Sequence, residues 1–194
     1  MRAGAAAWVV VSLGLGGAAA LGQVAPREAL DWQRALLGVE PWRLWTAAFA
    51  HLSALHLVAN ELGCVVVAAF GAGARVPVAA AVAWLAAWPL GHVALAIDAP
   101  LTRYAGLSGV LHAGVAIAAW HLLRRDAGRR RWVGAAVLAG LTVKVLLERP
   151  WAGAVQALPG WDFAVVPLAH VTGALAGLAC AVITDAWVHR GRSA

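Results

Sequence analysis

Long apolar runs separated by short charged turns dominate this chain, and they leave few architectures open. The runs lie at about residues 5–21, 45–72, 76–97, 104–123, 132–147 and 163–188. Each approaches the roughly 20 apolar residues that an α-helix needs to cross the hydrocarbon core of a bilayer. In lipid every backbone N–H and C=O must find its partner internally, which a helix achieves and an open sheet does not. Of the 194 residues, 62% are hydrophobic and 12% charged, against about half and a quarter in a soluble domain. That surplus cannot be hidden in one water-facing core. The expected fold is an all-α membrane protein, a single six-transmembrane-helix bundle over residues 1–194.

The first run follows Arg2 and ends in Ala20, Leu21, Gly22 and Gln23, a pattern shared by a cleavable signal peptide and a retained span. The retained span is the reading adopted. Residues 23–43 are polar, with Arg27, Glu28, Asp31, Arg34, Glu40 and Arg43, and form the longest non-spanning stretch. With the amino terminus inside, the inner segments hold Arg2, Arg75, Arg124, Arg125, Arg129, Arg130, Arg131, Arg190 and Arg192. The outer ones hold Arg27, Arg34, Arg43, Arg103 and Arg149. Basic residues in short loops mark the cytoplasmic side, so both termini are expected there. The net charge of +6 is thus an orientation signal, with anionic lipid as a secondary contact. Nucleic-acid binding is excluded because no basic stripe is interleaved with exposed aromatic residues. Cys64 and Cys180 read as buried small residues rather than a disulfide.

Polar groups inside spans are costly unless they face one another or a wet cavity, so each is a functional candidate. They are His51, His56, Asn60 and Glu61 early in the second run, Ser108 and His112 early in the fourth, and His170 early in the sixth. These three runs cross from outside to inside, so the set lies at similar depth in the outer half and outlines a pocket open to that face. Ser108 becomes a nucleophile if His170 takes its proton. Small residues permit the approach, Gly109 and Ala113 on one helix and Gly173 to Gly177 on the other. His56 and Asn60, four apart and on one helical face, could stabilise an oxyanion with the Ser108 N–H, and His51 could line the same rim. Taken singly, a transmembrane serine is more often a helix-packing residue. A metal site from His51, His56, His112 and His170 is disfavoured, because the spacing suits no helical ligand pair and no carboxylate or thiol completes it. Lys144 either snorkels to the interface or pairs with Glu148, four residues on. Trp42, Trp45, Trp151 and Trp161 fit an outer interfacial belt.

Together these pieces resemble the rhomboid family of intramembrane serine proteases. Trp42-Arg43 followed by His51, His56 and Asn60, Gly106-Leu107-Ser108-Gly109, and Ala169-His170 with Gly173 and Gly177 stand in the family's order. The resemblance implies a catalytic Ser108–His170 dyad without an aspartate, and an oxyanion site from His56, Asn60 and the Ser108 N–H. It also implies transmembrane substrates, no metal and no cofactor. Residues 23–43 would be a half-embedded loop, with Arg43 as a structural or lipid-facing anchor.

Four residues after the nucleophile, where many rhomboids carry a tyrosine stacked on the histidine, this chain has His112. With Lys144, Glu148 and Pro167-Leu168-Ala169-His170, the chain is similar to the rhombosortase subgroup. That resemblance implies a bacterial inner-membrane enzyme whose active site faces the periplasm. Its membrane-anchored substrates would carry a carboxy-terminal Gly-Gly motif, a hydrophobic span and a basic end. The alternatives are a rhomboid protease of broader specificity, a non-catalytic rhomboid-like protein that binds membrane clients, and a small histidine-based transporter or proton channel.

Overall fold

The computed structural model describes residues 2–190, with the side chains of Arg2 and of residues 188–190 left aside; Arg192, counted above among the inner basic residues, lies outside the described residues. Six long helices form the bundle: α1 (Arg2–Gly22), α4 (Ala54–Ala74), α5 (Val78–Ala94), α6 (Ser108–Arg125), α7 (Gly128–Leu147) and α8 (Pro167–Arg190). Two single-turn helices, α2 (Arg27–Leu30) and α3 (Arg43–Thr46), lie in the connection after α1. By length and composition α1, α4, α5 and α8 can each cross a bilayer. The α6 and α7 helices carry Arg124 and Arg125, and Arg129, Arg130 and Arg131, at the ends that adjoin each other.

The central helix is α6, which contacts α4, α5, α7 and α8. It presents Ala113, Ala116, Ile117, Ala118 and Ala119 as a buried surface of mostly small side chains. Tryptophans fix the surrounding helices by donating to main-chain carbonyls. Trp8 Nε1 donates to Val67 C=O at 2.8 Å, and Trp84 Nε1 to Val110 C=O at 2.7 Å. The two indoles stack, centroids 4.5 Å apart, so one cluster ties α1, α4, α5 and α6 together through bonds that lipid cannot replace. At the arginine-rich end, the Arg130 guanidinium caps α4 by donating to Gly73 and Ala74 C=O, and Arg125 pairs with Asp185 of α8 at 2.6 Å. These two arginines brace the bundle, whatever they also do for orientation.

Several boundaries differ from those read in the sequence. The apolar run 45–72 is not one helix: α3 gives way to a 3-10 turn at Ala47–Phe49 and an extended Ala50 before α4 starts at Ala54. Ser53 sets that start, its Oγ accepting the His56 N–H at 3.1 Å. His51 therefore sits in a loop, not on the helix. Runs 104–123 and 163–188 likewise lose their first residues to short strands. β1 (Trp32–Gln33) pairs antiparallel with β2 (Arg103–Tyr104), and β3 (Gln156–Ala157) with β4 (Ala164–Val165). The all-α expectation missed these because a two-residue strand has no periodicity to read. Helix α7 starts four residues earlier than run 132–147, since the arginines that end the apolar stretch are good helix formers. Cys64 and Cys180 are buried free thiols.

Candidate active site

The main chain leading into α6 is built to place Ser108. Gly106 sits at φ +138°, a region L side chains rarely adopt, and a Cβ there would meet the His56 ring at 2.8 Å. Its N–H donates to Ala47 C=O at 2.9 Å, and its own carbonyl accepts from Tyr104 Oη at 2.9 Å. Ser108 is then the first residue of α6, where main-chain N–H groups have no intrahelical acceptor.

Glycines bring α8 against α6. A Cβ on Gly109 would lie 2.7 Å from Ala169 O, and one on Gly173 would run into Gly109 O. Such backbone-to-backbone contact is the association that small residues permit between membrane helices. It sets His170 Nε2 2.9 Å from Ser108 Oγ. His112, one turn after Ser108, lies parallel to His170 with centroids 4.2 Å and planes 11° apart.

Lys144 and Glu148 enter the same cluster. Glu148 Oε1 receives Lys144 Nζ at 2.9 Å, and Glu148 Oε2 lies 2.7 Å from His170 Nδ1. Lys144 Nζ is also 2.6 Å from His112 Nε2 and 3.0 Å from His170 Nδ1. Burial pushes the Glu148 carboxyl up, but the His170 and Lys144 contacts outweigh it and hold the pKa down to about 2. The Lys144 ammonium and the His170 ring beside it favour the ionised carboxylate. The sequence paired these two residues with each other but placed neither at the histidine. Reading the fifth run from inside to outside would have put both at the depth of Ser108.

His56 and Asn60 occupy the opposite wall. His56 Nδ1 accepts the Leu52 N–H at 3.3 Å, which leaves the proton of a neutral ring on Nε2, beside Gly106. Phe163 stacks on His56, centroids 4.0 Å apart, and Asp162 accepts from Ser53 Oγ at 2.6 Å, so the connection between α7 and α8 is fastened over this wall. Asn60 Nδ2 meets His51 Nε2 at 3.0 Å. His51 stands behind Asn60 and does not line the cavity, contrary to the rim position expected from sequence, because the loop at residues 51–53 turns it away. Ser108, His170, His56, Asn60, His112, Lys144 and Glu148 all line one cavity of about 560 Å³, whose apolar wall includes Val66, Leu111, Val115 and Leu141.

Arg43 does not line this cavity; it is buried behind Asp31, which does. Its guanidinium donates to Glu40 Oε2 at 2.6 Å, to Asp31 C=O at 2.8 Å and to Glu28 C=O at 2.9 Å. It fastens the 23–43 connection to α3 and faces protein rather than lipid. Among the described residues, no group of three or more His, Cys, Asp or Glu side chains is placed to hold a metal ion.

Chemically, the arrangement joins a hydroxyl, an imidazole within proton-transfer reach, and an N–H donor on the facing wall. Those are the parts an acyl-transfer site requires. The pairing of hydroxyl and base is held by helix–helix contact, so it is pre-formed. No curated protein matches the chain. Residues 39–186 match the Rhomboid domain, a stretch that contains every residue of this cluster, and the chain belongs to the rhomboid family of multi-pass membrane proteins.

Proposed function

We propose that this chain is an intramembrane serine endopeptidase of rhombosortase type, with Ser108 as nucleophile and His170 as general base. His56 Nε2–H, Asn60 and the Ser108 N–H stabilise the oxyanion. The observation that carries the reading is the 2.9 Å approach of Ser108 Oγ to His170 Nε2 within a cavity walled by apolar side chains. In this reading all six long helices span the bacterial inner membrane, both termini are cytoplasmic and the cavity faces the periplasm. No cofactor takes part. Gly106 holds the entry to α6, Gly109 the contact with α8, His112 stacks on the base, and Arg43 and His51 support the wall from behind.

The substrate is a membrane-anchored protein whose carboxy-terminal tail carries a Gly-Gly motif, a hydrophobic span and a basic end. A glycine-rich segment beside a span unwinds readily and can present a carbonyl to Ser108, which an intact helix cannot. The adjoining apolar span then lies along Val66, Leu111, Val115 and Leu141. The basic end stays in the cytoplasm.

Co-expression of a reporter bearing such a tail with the wild type or with Ser108→Ala or His170→Ala tests this. Release of the tail from membrane fractions by the wild type alone is the expected result. Cleavage by a folded Ser108→Ala variant overturns the assignment of the nucleophile. Cleavage of generic single-span substrates at equal rate points instead to a broader rhomboid protease, and failure on both classes to a non-catalytic client-binding protein. Flux of protons that survives Ser108→Ala would mark a transporter.

A further inference from the structure

His170 is engaged at both ring nitrogens. Nε2 faces Ser108 Oγ at 2.9 Å and Nδ1 faces Glu148 Oε2 at 2.7 Å. We propose that Glu148 completes a Ser108–His170–Glu148 triad, a positioning carboxylate that fixes the tautomer of His170 and stabilises its charged form during cleavage. This rests on the serine-protease reading above and replaces the two-residue dyad expected from sequence.

The proton positions argue for it. To accept from Ser108, a neutral His170 must leave Nε2 bare and carry its proton on Nδ1. An Nδ1–H needs an acceptor, and Glu148 Oε2 is one. Lys144 Nζ, although 3.0 Å from Nδ1, has only donors as an ammonium. Its protons have other destinations, Glu148 Oε1 at 2.9 Å and His112 Nε2 at 2.6 Å. His112 Nε2 is free to accept because its Nδ1–H is used on Ser108 C=O at 2.6 Å. One assignment satisfies every contact except the approach of Lys144 Nζ to His170 Nδ1, where two donors meet and only Glu148 accepts from both: Glu148 ionised, Lys144 charged, His112 and His170 both protonated on Nδ1.

Charge gives the second argument. When His170 takes the serine proton it becomes a cation beside the Lys144 ammonium, and like charges at such range oppose the step. Glu148 reaches both cations, one with each oxygen, and offsets that repulsion. The carboxylate comes from the cap residue just after α7, a helix that otherwise packs chiefly on α6. Through it α7 takes part in holding the base on α8.

The proposed steps balance without proton transfer to Glu148. As Ser108 Oγ bonds to the scissile carbonyl carbon, its proton moves to His170 Nε2, while the Nδ1 proton stays on His170 and keeps its hydrogen bond to Glu148 Oε2. Collapse of the tetrahedral intermediate breaks the C–N bond, and the Nε2 proton leaves with the amine. Water then repeats the sequence on the acyl-enzyme, giving the carboxylic acid and restoring Ser108.

The test compares Glu148→Gln and Glu148→Asp in the purified full chain, using the Gly-Gly tail reporter, a serine-directed fluorophosphonate probe and thermal unfolding in detergent. Gln donates to Nδ1 and so favours the wrong tautomer. It should lower kcat by about 10²- to 10⁴-fold with KM little changed, while Asp, retaining the charge, recovers part of the loss. Adding Glu148→Gln to Ser108→Ala should cost nothing further. A folded Glu148→Gln variant with wild-type kcat overturns the proposal. So does an equal loss for Gln and Asp that tracks a fall in unfolding temperature, the mark of a merely structural role. If Glu148→Gln does not fold, Glu148→Ala carries the test beside Glu148→Asp: a kcat lowered for Ala at unchanged KM and partly recovered by Asp supports the triad, and wild-type kcat for Ala overturns it. A wild type that neither cleaves nor labels, or a Ser108→Ala variant that cleaves, overturns the protease reading itself and is told apart by the Ser108 comparison.

Discussion

His112 lies flat against His170, ring centroids 4.2 Å apart, while its Nδ1–H donates to the carbonyl of Ser108 at 2.6 Å. One side chain thus touches the proposed base through its face and the nucleophile's own residue through its edge. An aromatic stack of this kind is worth about 0.5–1.5 kcal/mol beyond burial. His112→Ala is expected to lower kcat by about tenfold, equivalent to about 1.4 kcal/mol, with His112→Phe falling between it and wild type because the ring survives and the two hydrogen bonds do not. Cleavage rates that are equal for Ala and Phe would show that the stack contributes nothing.

Gly106 offers a sharper test of how Ser108 is placed. An alanine there must adopt φ +138° and would bring its Cβ to 2.8 Å from the His56 ring, displacing the residue that offers the Nε2–H donor. Backbone strain of this type costs about 1–3 kcal/mol, so Gly106→Ala should lower both the unfolding temperature and kcat. Gly140→Ala on α7, where nothing lies within 4 Å, should instead be neutral or raise stability by up to about 1 kcal/mol. Matching behaviour of the two variants in thermal unfolding would contradict the account of the turn.

A polar group stranded in an apolar run is easy to find in a sequence, and a partner recruited across a loop is not. Ser108, His170, His56 and Asn60 were legible because a polar side chain amid an apolar run needs a reason, and three runs place theirs at one depth. Glu148 was not, since a carboxylate at a helix end is ordinarily solvated, and its histidine partner lies across a loop and a second helix. The break before α4 was hidden because residues on both sides of it are equally apolar. Only Ser53, a good N-cap residue in the middle of that run, marked the place. Arg43 stood next to Trp42 as part of a motif, but its partners Glu28 and Asp31 come from a stretch with no helical period to follow.

The Arg43–Asp31 pair is the buried electrostatic tie of that stretch, with side chains 8% and 5% exposed and 3.3 Å between Nη1 and Oδ1. Removing Arg43 leaves the buried Asp31 with only the half-exposed Arg103 as cation and strips Glu40 and the Glu28 and Asp31 carbonyls of their donor, so the loss approaches that of a broken buried pair, about 3–5 kcal/mol. Arg43→Ala is therefore expected to lower the unfolding temperature strongly. Arg103 also reaches Asp31, at 2.9 Å, but is 48% exposed, and Arg103→Ala should cost less than about 1 kcal/mol. Thermal melts of the two variants in the same detergent decide the matter, and equal losses would refute the burial argument.

Glu61 makes the opposite case, a polar group the fold would do better without. It lies on α4, next to the position a Cβ on Gly16 of α1 would occupy, and its Oε1 is buried with no hydrogen-bond partner among the described residues. A buried polar atom left unsatisfied costs about 1–3 kcal/mol. Glu61→Met keeps comparable length, fills the same interface with a flexible apolar side chain and removes the orphaned oxygen. Because Glu61 does not line the cavity, the variant should unfold at a higher temperature than wild type and cleave the tail reporter at the same rate. A lower unfolding temperature would mean that the carboxyl makes a stabilising contact in the membrane that outweighs its burial.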